Sequence, residues 1–440
     1  MLKDDAKPEY ERVGAGALET VAVPGAPLEE PEVARPGQGG GTFSALRHRN
    51  FRLFWIGALV SNLGGWLQVV AQNWLVLSLT NSAFLLGLVN FIGNSPMLLL
   101  SLFGGVVADR NSRKTVLLIT QNAQAILMLI MAVLSFFNII NIWMVIVIAL
   151  GIGIVQAFNS PAYQTIMLDL VRKEDIMNAI ALNSFQFNLT RVIGPGIAGV
   201  LVTLVGVAVC FFLNSLSFMA VVGALLLVKL PKPVRIVEKR PMWEEIKESL
   251  SYLKSQVALS GLLMIASLFS FFITPYLTLL PVFVQQVFKS GPEDYGILLS
   301  AVGVGALTGA LLVANISGKL QRRSRFMNWG MLILVGSLFG FSLSTNLILS
   351  MVMLALAGGS LVSVNTTLNT IVQSSVPDYL RGRILSIWTL CSVGFMPLGN
   401  LQSGIVAQAW GAPVSVMVNM AFFVLFTILI YWFIPKARRF

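Results

Sequence analysis

Arg191 is the one charged residue placed well inside an apolar stretch of this chain, and side-chain amides recur near it and in other stretches at helical spacing. Asn188 precedes it by three residues. Gln68 and Gln72 stand four apart in an earlier stretch, Gln156 and Asn159 three apart in another, and Asn365, Asn369 and Gln373 form a row with a step of four. An arginine in lipid costs at least about 2.5–3.5 kcal/mol on insertion scales, so it must face a cavity or a partner. One reading makes Arg191 an anion-attracting group on a path across the membrane. The other makes it a structural residue that hydrogen-bonds helix carbonyls. Single amides in membrane helices commonly join neighbouring helices, whereas a row of them suits a watery face. The acids carry the opposite message. Every acidic residue beyond position 46 falls at the end of an apolar run or in a turn. A proton-driven carrier ordinarily relies on a buried carboxylate with a raised pKa, and none stands at that depth. The only histidine, His48, precedes the first run. No nucleophile, base and metal cluster and no phosphate-binding Gly-Lys loop is present, so catalysis, a metal centre and nucleotide hydrolysis are not expected. No cofactor is expected, and coupling to a proton gradient is left open.

The elements that must position these residues follow from composition. Hydrophobic residues make up 56% of the 440 and charged residues 11%, with a mean hydropathy of +0.80, which defines a polytopic membrane protein. The net charge of +11 is distributed by side, not gathered for nucleic acid, and no nucleic-acid partner is expected. Of the Lys and Arg residues, only Lys289 falls in a turn assigned to the outside; the rest lie in the tails, in inward turns, or at Arg191. Apolar runs predict twelve helices near 52–79, 84–108, 115–137, 141–171, 178–204, 206–229, 258–287, 293–316, 326–344, 347–375, 381–409 and 412–434. Both termini are then cytoplasmic, in a multi-pass protein of the cell inner membrane. Residues 1–46, rich in Pro, Gly, Ala and Glu, are expected to be a disordered tail. A six-helix bundle over 47–229 and a second over 258–440 flank a linker, 230–257, whose pattern from Pro241 predicts an amphipathic helix lying on the inner membrane surface. Cys210 and Cys391 sit in different halves and are read as apolar filler. The halves repeat: Gly104 recurs as Gly309, Asn159 as Asn365, Val171 as Val376, and Pro195 more loosely as Pro397. Such parallel repeats place a substrate site between two bundles near the midplane.

The turn after the second run reads GGVVADRNSRK, from Gly104 to Lys114. It resembles the loop between the second and third helices of the major facilitator superfamily, matching at Gly105, Asp109, Arg110, Arg113 and Lys114. The resemblance implies a conformational latch, with Asp109 at the N-terminal end of the eleventh helix and paired with Arg113. The stretch Gly194-Pro195-Gly196-Ile197-Ala198-Gly199 is similar to the fifth-helix motif of the superfamily's drug exporters, with Ala198 for one glycine, and reads as a helix kink at Gly194, Pro195 and Gly199. Val147 stands where many proton antiporters of the family carry Arg, and Ala314-Asn315 stands in the second half where Asp109-Arg110 stands in the first.

WLVLSLTNSAFLLGLV, the stretch from Asn159 to Gly199, and VPDYLRGRILS are similar to the branch containing the enterobactin exporter and macrolide-efflux-type carriers. That implies export of amphipathic small molecules such as siderophores or drugs by alternating access. It also implies a path lined by Gln68, Gln72, Gln156, Asn159, Asn188, Arg191, Asn365 and Asn369. Lysophospholipid or other lipid-like cargo is the second reading. A membrane enzyme is disfavoured by the missing catalytic cluster, and a channel by the repeat with its basic turn. The protein is expected to act as a monomer in the bilayer.

Overall fold

The computed structural model describes residues 43–228, 251–316 and 323–435. The expected tail up to residue 42, the linker from 229 to 250, and the side chain of Asp109 lie outside the described residues. The described chain is helical throughout and holds eleven helices long and apolar enough to cross a membrane. They are α1 (Arg49–Thr80), α2 (Ala83–Arg110), α3 (Arg113–Phe136), α4 (Ile142–Asp169), α5 (Ile176–Leu227), α6 (Val257–Phe288), α7 (Pro292–Ile316), α8 (Arg323–Leu343), α9 (Leu347–Ser374), α10 (Leu380–Trp410) and α11 (Ala412–Phe433). α5 runs for 52 residues but is broken at Gly206, where φ is 80° and ψ 168°. Each arm is long enough for one crossing, so the fold agrees with twelve spans.

The turns form where the sequence places its cap residues. Asn81 closes α1 in a left-handed conformation (φ 48°), and the Ser82 hydroxyl accepts from the Leu85 amide to open α2. Asn141 caps α4 through the Met144 amide, and Asn346 caps α9 through the Leu349 amide. Each side chain satisfies a helix-end donor that lipid could not. The described part of the N-terminal region differs from its expectation. Ser44–Arg47 forms a 3-10 turn with Ser44 and Ala45 buried, so the last residues of the expected tail are ordered. The last turn of the expected linker helix is present too, with Leu253 buried and the Ser260 hydroxyl bonded to its carbonyl.

Two helices are irregular where proline removes a donor. α6 carries π-helical turns at Phe269–Ile273 and Val284–Phe288, either side of Pro275 and Pro281. Pro275 cannot bond to the Phe271 carbonyl four residues back, and Gly399 of α10 packs directly against that carbonyl. α10 is interrupted at Gly394-Phe395, just before Pro397.

The repeat survives in the packing. Gly194 lies against Trp66 in the first half and Gly399 against Phe271 in the second. Both members shift by the same interval, since 399 − 194 and 271 − 66 both equal 205. Within each half, α2 packs on α4, and α7 on α9, through glycines whose Cβ would strike backbone: Gly104 on Ala157, Gly153 on Gly93, Gly305 on Ala355, and Gly309 on Gly359. Close small-residue packing of this kind holds helices together where lipid supplies no hydrophobic drive. Of the paired glycines before the basic turn, only Gly104 works this way. Gly105 has open space beside it.

Candidate functional site

The first-half helices α1–α5 meet the second-half helices α6–α11 through two main contacts, α5 on α7 and α2 on α10. Both use glycines at a backbone approach. A Cβ on Gly199 would stand 3.0 Å from the Gly296 Cα, and one on Gly404 would stand 3.0 Å from the Gly87 Cα. Gly404 is the repeat equivalent of Gly199, 205 positions later. These contacts lie toward the end of the bundle away from the basic turns. Polar bonds across the halves cluster there. The Asn73 amide donates to the Tyr295 hydroxyl at 3.0 Å, and within the first half the Asn90 amide donates to Asn73 at 3.0 Å. The Thr203 hydroxyl donates to Glu293 at 2.5 Å, the Ser300 hydroxyl accepts from the Gly196 amide at 2.9 Å, and the Ser82 hydroxyl bonds Gln408 at 2.9 Å. α1 also packs against α6 and α7, while α4 and α9 make no comparable contact with each other.

Arg191 lies at this junction. Its carbonyl is the closest neighbour to the position a Gly303 Cβ would take, and its charge is within electrostatic reach of Tyr276 on α6. It is partly buried and makes no ion pair among the described residues. The Tyr276 hydroxyl is buried without a hydrogen-bond partner among those residues. A cation from one half thus faces an unengaged phenol from the other, beside the proline-disturbed stretch of α6.

The amides expected to line a path divide into two groups. Gln156 accepts from Gln124 at 2.8 Å. Asn159 is buried and accepts from Thr120 and Gln121 at 3.0 and 3.2 Å, and Gln68 accepts from Asn214 at 3.0 Å. These three join helices of the first half, because a buried amide is cheaper bonded to a neighbour than left open. The others are differently placed. One buried oxygen of Gln72 has no partner among the described residues. Asn188 bonds back to the Ser184 carbonyl on its own helix at 2.8 Å. Asn369 accepts from the exposed Gln373 at 3.0 Å, and Asn365 lines a small cavity with Phe269, Leu368, Trp388 and Ser392. A larger cavity of about 140 Å³ opens between α4 and α5, lined by Tyr163, Gln164, Met167, Ala179, Ile180 and Asn183. The stretch expected to kink serves as a contact motif. Pro195 stays within helical geometry, while Gly194 admits Trp66 and Gly199 admits α7.

At the basic-turn end the described ion pairs lie within the first half. Arg113 reaches Asp169 at 2.6 Å, where the resemblance implied Asp109. The Lys114 ammonium donates to the Val228 carbonyl at 2.7 Å, closing the end of α5, and Arg110 is exposed. His48 pairs with Asp175 at 2.7 Å, and the Ser44 hydroxyl donates to the same carboxylate at 2.5 Å. Those two bonds hold Asp175, in the turn before α5, below the ordinary aspartate range. Sequence reasoning did not single out Asn73, Asn90, Tyr295, Thr203 or Glu293. Their signal was weak: lone polar residues near helix ends, with no repeat to mark them.

Two sets of membrane-spanning helices, joined by close glycine contacts and polar bonds near one end, define a membrane carrier. The chain belongs to the major facilitator superfamily: residues 40–438 match the family described as transmembrane secretion effector. It is 30% identical over 371 residues to the staphyloferrin A transporter of Staphylococcus aureus, covering 82% of this chain and 90% of that one. It is 24% identical to macrolide efflux protein A of Streptococcus pyogenes, with the same coverage. Its fold matches a bacterial homologue of the human lysosomal transporter Spinster, solved in an inward-facing and unoccupied conformation. That match has a TM-score of 0.71 at 13% identity and covers 89% of this chain and 98% of that one. The protein is therefore a multi-pass membrane transporter and not an enzyme.

Proposed function

We propose that this transporter exports anionic or neutral polyhydroxylated molecules of the siderophore or drug class, by alternating access between its halves, from a cytoplasm that holds both termini. The observation that carries this reading is Arg191, a cation at the meeting of α5, α6 and α7 with no carboxylate partner among the described residues. In a low-dielectric space one charge acts over several ångströms, so organic cations are repelled and anions drawn in. The kinship with the staphyloferrin A transporter supports a siderophore-like cargo, and that with macrolide efflux protein A supports outward movement. Gln72, Asn188, Asn365 and Asn369 are the amides placed to meet cargo oxygens. Asp109, Arg110 and Arg113 act as the latch at the basic-turn end, which faces the cytoplasm of an inner membrane. A proton gradient is the driving force to test first.

The deciding experiment is vesicle transport of one anionic, one neutral and one cationic compound by wild type and Arg191→Gln, normalised to inserted protein. Export of the anion is expected to fall at least about fivefold in the variant, with the neutral compound unchanged. An equal loss for all compounds would make Arg191 structural, and efficient cation export by the wild type would refute the charge argument.

A further inference from the structure

The internal repeat puts two cavities in equivalent positions, and their sizes are far apart. Tyr163 of α4 and Asn183 of α5 line the first, and Leu368 of α9 and Trp388 of α10 line the second. The intervals from Tyr163 to Leu368 and from Asn183 to Trp388 are both 205, the interval that relates Gly194 to Gly399. The first-half cavity holds about 140 Å³ and the second-half cavity about 10 Å³. The smaller has room for no more than about one water molecule.

Residue type accounts for the difference. Trp388 is 6% exposed, so its indole is packed into the second half. The first half has an amide, Asn183, at the same place, and an amide is too small to fill it. A core cavity of about 150 Å³ admits a benzene ring. The first-half cavity thus has the size of the ring that it lacks.

The walls narrow what fits. Met167, Ala179, Ile180 and the Tyr163 ring are apolar, and that ring is backed by Phe54 of α1 with centroids 5.4 Å apart. Two amides stand among them. Asn183 is half-buried and has no side-chain hydrogen-bond partner among the described residues. Gln164 reaches only the Ser160 hydroxyl on its own helix, at 3.5 Å. No charged side chain lines the cavity. An aliphatic chain would leave both amides idle. An aromatic ring with a hydroxyl or N–H group meets the Tyr163 ring and an amide together.

We infer that this cavity is a binding site for one uncharged aromatic ring carrying a hydroxyl or N–H group, seated where the second half seats the Trp388 indole. Asn183 lies eight residues before Arg191 on α5, about 12 Å along the helix. One extended molecule can therefore present a ring to the cavity and an anionic group to Arg191. That use by a cargo rests on the export reading, but the binding itself does not.

The test uses the full chain in lipid nanodiscs, with Cys210 and Cys391 replaced by alanine and phenol as the probe. A single cysteine is introduced as Ile180→Cys, on the cavity wall, or as Leu385→Cys, its repeat equivalent in the filled half. Saturating phenol is expected to slow thiol labelling of Ile180→Cys at least about fivefold and of Leu385→Cys less than about twofold. Cyclohexanol, similar in size but not aromatic, should need a concentration at least about fivefold higher for the same protection. Asn183→Trp supplies the missing ring, so it should slow labelling by itself and abolish the effect of phenol. Asn183→Ala cannot jam the cavity, and it should raise the phenol concentration needed about fivefold by removing the amide. It gives the answer alone should Asn183→Trp fail to insert. A mere packing gap predicts no protection of Ile180→Cys, which would overturn the inference. So would equal protection by cyclohexanol, equal protection of Leu385→Cys, a phenol effect that survives Asn183→Trp, or an Asn183→Ala protein that binds phenol as before. Nothing is transported in this assay, so its failure is distinct from failure of the Arg191 experiment.

Discussion

The two ends of the bundle are joined by different physics. Away from the basic turns, Gly199 on Gly296 and Gly87 on Gly404 bring backbones of opposite halves into contact, and the bonds across them are to neutral groups except at Glu293. At the basic-turn end the described ion pairs, Arg113 with Asp169 and His48 with Asp175, tie segments of one half to each other. Fixed-shape contact between halves works only in one arrangement, so it is suited to an interface that is either made or broken. Solvated charge tolerates movement and keeps each half rigid while the halves move.

The largest effect should follow from filling a glycine contact. Gly296→Val would press a branched side chain against the Gly199 backbone, and overpacking of this kind costs about 1–3 kcal/mol or more. Transport is expected to fall at least about tenfold, with increased labelling at that end by an impermeant thiol reagent; normal transport would break the comparison. Next comes Asn159→Ala, which leaves Thr120 and Gln121 without their shared acceptor. It should cost about 1–3 kcal/mol of stability, read as a lower melting temperature, and reduce transport of every cargo in proportion to surviving protein. A cargo-selective loss would return Asn159 to the path.

Smaller still is Arg113→Gln. Arg113 and Asp169 are each about a third exposed, so losing the pair should cost no more than about 1 kcal/mol. A larger loss of thermal stability than that would show the pair does more than a solvated ion pair can. Least is the effect of acid on the Ser44–His48 turn. Asp175 titrates below its ordinary value, so its contribution is present above the unfolded aspartate value near 3.9 and is lost as pH falls through its lower folded value. Proteolysis in the 43–48 segment should rise in that window, and Asp175→Asn should show the raised rate at neutral pH.

Helix positions were legible in the sequence because each apolar run must cross the same thickness of lipid, and because Asn81, Ser82, Asn141, Asn346, Gly206 and Gly411 mark turns by their own chemistry. The repeat was legible as well, since equal intervals such as Gly104 to Gly309 need no partner to be seen. By itself the sequence determined the class of protein, the side on which charge gathers, and the solitary cation Arg191. What an amide faces was decided only by the tertiary structure. Asn159 and Asn365 are repeat equivalents, yet one is spent on Thr120 and Gln121 and the other borders a cavity. The same holds for Glu293, which reads as an ordinary acid at a helix start until Thr203, 90 residues away, is brought against it. Helical spacing records which residues share a face of their own helix, but the neighbour that face meets is set by how glycine-lined helices from two halves pack.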